Sequence, residues 1–272
     1  MEIWHRLTFA KKDKVEPVLQ AAGIGYKKSP LPGGSYILHI DVAESDQHWS
    51  QLVDLRDDHK ALDVYNTVFS HHEVASADWI RLCPAYEQGF AQPQEEPGWV
   101  SQTLANTCAS CGAGYQQAVP YRVSSEPRLG KHDFVSLFGT YAVFSSANPA
   151  AAMVTAGVGG LNFWPLLVGE AEKSSKLVRQ WVVPTVADPG FVTDLESTLC
   201  PKCGTRKHRP HLAGYMTFQD QSIPKHVDFA VSYEWFGSGH GAYREILVSR
   251  KVAKLFMDNR WKGVALKPVL MQ

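Results

Sequence analysis

The sequence predicts an α+β protein, in which a small N-terminal α+β unit precedes two related strand-helix-strand halves joined by a pair of Cys-x-x-Cys-Gly turns. Three observations predict it. Strand-like and helix-like hydrophobic patterns succeed one another over residues 1–84, the two cysteine turns stand far apart, and a strand-helix-Gly-strand-Pro pattern occurs twice. We assign residues 1–84 to the N-terminal unit, 99–190 to the first half and 191–272 to the second, and expect the halves to form one compact domain.

The N-terminal unit begins with alternating apolar and polar side chains over residues 1–10, which predicts a strand. Asp13 stands at the N-cap position of a first helix, and Glu16, three positions on, completes a capping box. Gly23 ends this helix. The elements predicted after it are a strand at 36–42, a helix opened by Ser45 or Asp46, strands at 63–69 and 78–83, and a connector at 85–98 rich in Gln, Glu, Pro and Gly.

Four of the five cysteines lie in the two Cys-x-x-Cys-Gly turns, as Cys108, Cys111, Cys200 and Cys203. Two thiolates at this spacing can bind one metal ion from a single tight turn, and the following glycine permits the positive φ that points backbone N–H groups at the sulfurs. Such a turn is a zinc knuckle. Because two knuckles complete a tetrahedral site with no open coordination position, we predict that these four cysteines hold a structural Zn²⁺ at the junction of the halves.

Other uses of the cysteines stay open at the level of sequence. A redox dithiol normally sits at a helix N-terminus, and neither turn precedes a convincing amphipathic helix. Disulfides would fit a secreted protein, but the chain begins without a basic-then-apolar leader, so we expect a cytoplasmic location. His208 and His211 follow the second knuckle and offer nitrogen ligands for a local site. The fifth cysteine, Cys83, is interpreted as a buried core thiol, since no activating base is identified beside it.

Composition and charge narrow the class of protein. Hydrophobic residues make up 44% and charged residues 20% of the 272 residues, as in ordinary globular proteins. The 27 basic residues are balanced by 27 acidic ones, which argues against a general nucleic-acid binder. No apolar run approaches the roughly 18 residues of a membrane span, so we expect no membrane association.

The second part of the chain repeats a pattern. A helix predicted at 149–155 follows Ser145-Ser146 in the first copy, and one predicted at 251–259 follows Ser249 in the second. The corresponding positions keep a constant spacing: Ser145 and Ser249 are 104 residues apart, Gly160 and Gly263 are 103 apart, and Pro165 and Pro268 are also 103 apart. We interpret this pattern as an internal duplication in which each half supplies one knuckle.

The two Cys-x-x-Cys-Gly turns resemble those of the double-CXXCG motif proteins. The likeness extends to ADWIRL at 77–82, PRLGK at 127–131 and the VSR, GV and PV positions within 248–269, so that it covers most of residues 60–272. Members of that family are identified as bacterial immunity proteins, encoded beside toxins used in contact-dependent killing or kin discrimination. The resemblance therefore implies a cytoplasmic protein that binds and neutralises one cognate toxin or effector protein. For individual residues it supports only the four knuckle cysteines.

Two other functions correspond to particular features of the sequence. A zinc-ribbon nucleic-acid-binding protein is the alternative, because basic residues cluster at the second knuckle over 202–209. An enzyme is not expected: the pair His71-His72 and the Gly-rich loop with His240 lack a partner acid or nucleophile at a recognisable spacing. Three stretches are candidates for an exposed partner surface, namely 54–58, 94–96 and the aromatic loop at 232–243.

Overall fold

The α+β class predicted from the sequence is confirmed by the computed structural model, which describes residues 1–10, 12–95 and 98–272. The chain divides into two compact units. The first comprises residues 1–70 with 212–214, and the second comprises 71–211 with 215–272. Each unit has a hydrophobic core of its own.

The first unit has the β-α-β-β-α-β connectivity of the ferredoxin-like fold. Its elements are β1 (Glu2–Phe9), α1 (Lys12–Ala21), β2 (Lys27–Pro30), β3 (Tyr36–Ala43), α2 (Trp49–His59) and β4 (Leu62–Val68). The sheet is antiparallel, in the order β2-β3-β1-β4. Because successive residues of a strand face opposite sides, Leu7 and Phe9 of β1 share one face with Leu38 and Ile40 of β3, and all four are buried.

Two details of the first unit differ from the sequence predictions. Helix α1 begins at Lys12, so Asp13 is a helical residue, and its side chain lies outside the described part of the structure. Glu16 does not serve a capping box but joins α1 to the sheet: its carboxylate accepts hydrogen bonds from the hydroxyls of Tyr26 and Tyr36 and pairs with Lys28 at 2.6 Å. The hydrogen bond from Lys28 and those from the two tyrosines lower the pKa of Glu16 to about 2.

The second unit contains four sheets and four helices within the described residues. Its elements are α3 (His71–Ser76), β5 (Trp79–Pro84), β6 (Glu87–Phe90), α4 (Gly98–Thr103), β7 (Leu104–Ala105), β8 (Gln116–Gln117), β9 (Arg122–Val123), β10 (Phe134–Phe138), β11 (Val143–Ser145), α5 (Ala147–Thr155), β12 (Asn162–Val168), β13 (Lys173–Val182), β14 (Ser197–Leu199), β15 (Arg206–His208), β16 (Met216–Phe218), β17 (Phe229–Val231), β18 (Trp235–Phe236), β19 (Ile246–Ser249), α6 (Arg250–Asn259) and β20 (Val264–Met271).

The two larger sheets divide between the two predicted halves. The six-stranded sheet has the order β6-β10-β11-β13-β12-β9, and nearly all of it lies within residues 99–190. The five-stranded sheet has the order β16-β20-β5-β19-β17 and takes four strands from residues 191–272. The smaller sheets, β14-β15-β18 and β7-β8, flank the cysteine turns.

The boundary of the N-terminal unit differs from the one expected. Residues 71–84 were assigned to that unit, but β5 is the central strand of the five-stranded sheet, between β19 and β20. Its Ile80 and Leu82 are fully buried there. The hydrophobic pattern of a strand shows that it is buried but not which strand it pairs with, because pairing partners can be far away in the chain. The predicted connector at 85–98 contains the short strand β6.

The two halves contact each other through two similar hydrogen bonds, each from a backbone N–H group to an aspartate carboxylate. The backbone N–H of Lys262 donates to the carboxylate of Asp133 at 2.9 Å, and the N–H of Gly159 donates to the carboxylate of Asp228 at 3.0 Å. Each aspartate directly precedes a strand, β10 or β17, and each donor lies between the helix of the other half, α6 or α5, and the strand that follows that helix. Such reciprocity is what two related halves packed about a local two-fold axis would show.

A close backbone approach accompanies each of these contacts. Gly263 has φ +107°, and a Cβ built on it would lie 2.1 Å from the carbonyl oxygen of Phe134. Gly160 has φ +84°, and its Cβ would lie 2.7 Å from the carbonyl oxygen of Phe229. The repeated glycines of the sequence therefore mark the places where one half packs directly on the backbone of the other.

We predict that Gly263→Ala lowers the free energy of unfolding by about 2 kcal/mol or more, since the methyl group adds a backbone clash to a strained φ. Gly159→Ala is the matched control, because a Cβ there meets nothing within 4 Å. It should change stability by less than about 0.5 kcal/mol. Urea denaturation followed by tryptophan fluorescence measures both. Equal stability of the two variants would contradict the packing role of Gly263.

Candidate metal centre

Each Cys-x-x-Cys-Gly turn has the same backbone hydrogen bonds. In the first turn, Gly112 N–H donates to Cys108 O at 2.8 Å; in the second, Gly204 N–H donates to Cys200 O at 2.9 Å. Both glycines have positive φ, +76° and +72°. The local geometry predicted for two knuckles is therefore present. The first turn lies between β7 and β8, and the second connects β14 to β15.

The fold brings the two turns together. The sulfur atoms of Cys108, Cys111, Cys200 and Cys203 lie within 4.8 Å of one another, with 3.9 Å from Cys108 to Cys200 and 3.6 Å from Cys111 to Cys203. Four thiolates at about 2.3 Å from a central ion would be about 3.8 Å apart, whereas a disulfide needs about 2.05 Å. All five cysteines are free. The cluster could therefore hold one metal ion shared by both turns.

The local alternative with histidine ligands is not formed. His208 packs against the rings of Phe191 and Phe236. The Nδ1 of His211 lies 3.2 Å from the guanidinium of Arg81, in the interior of the unit. Over the described residues, the four cysteines are the only group of cysteine, histidine or acidic side chains positioned to share an ion.

The surroundings of the thiols favour the thiolate form at the second turn. Backbone N–H groups of Cys203 and Lys202 lower the pKa of Cys200 to about 6, and the hydroxyl and backbone N–H of Thr205 lower the pKa of Cys203. Burial instead raises the pKa of Cys111 to about 12. A bound metal ion would favour the thiolate form at that position through its positive charge.

A buried lysine supports both turns. Lys207, on β15, is only 8% exposed, and its ammonium group donates to the carbonyl oxygens of Cys111 at 2.8 Å, Gly239 at 2.6 Å and Gly241 at 3.0 Å. It thus connects the first turn, the strand that follows the second turn, and the Gly-rich loop at 237–241. In the sequence this lysine looked like one member of a surface basic cluster.

The Gly-rich loop packs on the first turn through its backbone. A Cβ built on Gly112 would lie 2.0 Å from the carbonyl oxygen of His240. Cys111, Cys200 and Trp235 form a small core here, with Tyr115 and Ala242 packed against it. The His240 side chain is exposed. Gly112 therefore allows the first cysteine turn to pack directly on the backbone of this loop.

The remaining basic residues near the second turn are partly engaged within the fold. Arg209 pairs with Glu196 at 2.8 Å, and Arg206 donates to the hydroxyl of Ser197 at 3.0 Å. Because Lys207 is buried, the basic surface available to a nucleic acid at 202–209 is smaller than the sequence indicated.

The second unit also contains a buried charged cluster that sequence reasoning did not predict. Arg81 is 5% and Glu245 0% exposed, and they pair at 2.5 Å. The hydroxyl of Tyr141 donates to the other carboxylate oxygen at 2.9 Å. Burial would lower the pKa of Arg81, but Glu245 holds it above its ordinary value; burial and Arg81 together lower the pKa of His211 to about 4. No local pattern signals this cluster, because its members come from four distant segments.

The lone cysteine is near this cluster. Cys83 is half-buried on β5, and burial raises the pKa of its thiol, as expected of a core thiol rather than an activated nucleophile. His71 and His72 lie exposed at the start of α3.

Comparison with known proteins gives no relative from which to transfer a function: neither a scan against models of protein families nor a search of curated proteins finds a match. The resemblance to double-CXXCG motif proteins therefore stays a prediction. Among the described residues, no helix combines the length and the apolar character needed to cross a membrane.

We predict that Lys207→Met lowers the free energy of unfolding by about 2 kcal/mol or more, because three carbonyl oxygens, among them the buried one of Cys111, lose a charged donor. It should also speed the reaction of the four thiols with a chromogenic disulfide reagent in metal-loaded protein. Lys202→Met is the matched control, since this exposed side chain leaves the turn intact, and it should cost less than about 0.5 kcal/mol. Equal thiol reactivity in the two variants would count against the supporting role of Lys207.

Proposed function

We propose that the four cysteines bind one Zn²⁺ and that this ion is structural. Four convergent thiolates form a soft, tetrahedral ligand set, which suits Zn²⁺ and leaves no position for a substrate or water. The distances of 3.6 and 3.9 Å between sulfurs of different turns support a single shared ion. We further propose the reducing cytoplasm as the location, because the ligands must stay as thiolates.

We propose that the protein acts by binding a partner, as an immunity protein that neutralises a cognate bacterial toxin. The observation that carries this proposal is the convergence of the two Cys-x-x-Cys-Gly turns, 92 residues apart, into one closed cluster. In that arrangement both turns contribute to one cluster, and these two turns are the motif on which the resemblance to the immunity family rests. In such a protein the metal stabilises the scaffold, and a surface elsewhere recognises the toxin.

The acidic surface of α2 is the partner surface that we favour among the three stretches considered. Asp54, Asp57 and Asp58 are exposed there, while Leu55 points into the core. The loop at 232–243 is less suited, since its Trp235 and Phe236 are buried. Of the stretch 94–96, the last residue lies outside the described structure. An acidic helix surface would attract a toxin with a basic active site and raise the association rate.

We predict one Zn²⁺ per chain in the purified protein, by elemental analysis. Cys108→Ser or Cys203→Ser should release the metal and lower the melting temperature by several degrees, because the loss of one ligand opens the site. Cys83→Ala is the matched control: it removes the only cysteine outside the cluster and should leave the zinc content at one. An unchanged melting temperature in Cys203→Ser would refute the structural role.

We predict an equimolar complex with the product of a toxin gene adjacent to the gene of this protein, measured by calorimetry and by light scattering. Co-expression should restore growth of cells that produce the toxin. Asp58→Lys should weaken the complex about tenfold at low salt and less at high salt, since the reversal places like charges together. Glu170→Lys, a reversal of an exposed charge in the second unit, is the control. Absence of both complex and protection would exclude the immunity role.

A further inference from the structure

A cavity of about 350 Å³ lies in the second unit where the two halves meet. Trp164 and Trp181 belong to the wall contributed by the first half, while Trp235 and Arg244 belong to the wall contributed by the second. Tyr115, shortly after the first cysteine turn, completes the aromatic lining. The volume is that of a site for a small organic molecule, for which about 300–1,000 Å³ is usual.

Arg244 places a positive charge in the wall of this cavity. Its guanidinium has no hydrogen-bond acceptor among the described residues. Its guanidinium lies over the ring of Trp235 at 4.6 Å, and its Nε is buried and unbonded. Within the described residues it forms neither an ion pair nor a hydrogen bond. Arg244 as a whole is half-buried, and it is the Nε that is buried. The buried Arg81 also has an unbonded Nε, but its guanidinium is paired with Glu245. A buried donor without an acceptor is uncommon in folded proteins, so the unbonded Nε of Arg244, which has no such pairing, indicates an acceptor that enters from the cavity.

The nearby side chains do not satisfy this charge. Glu234 attracts Arg244 at longer range, but one of its carboxylate oxygens accepts the backbone N–H groups of Gly190 and Phe191. Gln117 and Gln180 also line the cavity, and their amides bond to each other at 2.9 and 2.6 Å.

Tyr115 lies close to the guanidinium. Its ring meets Trp235 edge to face at 4.9 Å, and its hydroxyl makes no hydrogen bond in the described part of the chain. The phenol can donate a hydrogen bond beside the cation, and both groups can donate to one anionic oxygen pair.

We propose that this cavity binds a small organic anion with a flat aromatic body, and that Arg244 binds its carboxylate. The planar guanidinium matches a carboxylate with two parallel N–H donors, and the tryptophan and tyrosine rings provide apolar surfaces for a flat ring. The cavity belongs to the second unit and α2 to the first, and no residue of α2 enters the argument, so the inference does not rest on the partner proposed above. A ligand that has an aromatic ring but no carboxylate, or a carboxylate but no ring, would occupy only part of this cavity.

Calorimetric titration of the unmodified protein with three probes tests the proposal. Indole-3-acetate should bind measurably, its neutral amide indole-3-acetamide about tenfold more weakly or worse, and acetate not detectably, because only the first has both features. Equal affinities of the acid and the amide would overturn the role assigned to Arg244. Failure of indole-3-acetate to bind at millimolar concentration would overturn the site.

Two variants test whether Arg244 is the residue that binds the carboxylate of indole-3-acetate. Arg244→Gln should reduce the affinity for indole-3-acetate to that for the amide, whereas Arg179→Gln, an exposed arginine outside the cavity lining, should leave it unchanged. Circular dichroism checks that each variant is folded. A folded Arg244→Gln protein with full affinity for the acid would overturn the proposal. If that variant does not fold, the comparison of acid with amide in the unmodified protein decides.

Discussion

Four sulfur atoms within 4.8 Å of one another form the contact that joins the two cysteine turns of the second unit. As thiolates they repel, and as thiols they offer only weak hydrogen bonds, so neither form alone explains why the chain brings them together. A cation at their centre would resolve the conflict, because its charge would stabilise the thiolate form of all four. Lys207, the Gly-rich loop and Tyr115 are arranged around that point, and each half of the unit contributes two of the sulfurs.

Local chemistry in the sequence predicted a large part of this structure. The two knuckles, helix α6 with its Ser249 N-cap, and the glycines Gly160 and Gly263 were recognisable because their signals lie within a few residues. The central position of β5 and the pairing of Arg81 with Glu245 were not recognisable. Both depend on segments more than a hundred residues away, and no alternation or spacing within one segment records which distant segment it will meet.

The charged residues show most clearly that the sequence of one segment does not reveal its distant partners. Lys207 and Arg209 are near neighbours in one basic stretch, yet one is buried against three carbonyl oxygens and the other is paired at the surface with Glu196. Arg81 is buried and Arg244 is half-buried, yet only the first has a carboxylate partner. Charge in a sequence therefore gives the balance of the whole chain, whereas the role of each charge is set by the partners that the fold supplies.

The two knuckles lie far apart in the chain, unlike those of a local zinc ribbon. This separation has a physical advantage. Joining positions 92 residues apart removes more entropy from the unfolded chain than closing a short ribbon does; for a cross-link of this span the effect is about 4–5 kcal/mol by the estimate used for disulfides. The same link fixes Tyr115, which packs against the cysteine cluster and also lines the cavity with Arg244. A metal ion at the cysteines would therefore stabilise the junction of the halves and, through Tyr115, one wall of the cavity formed there.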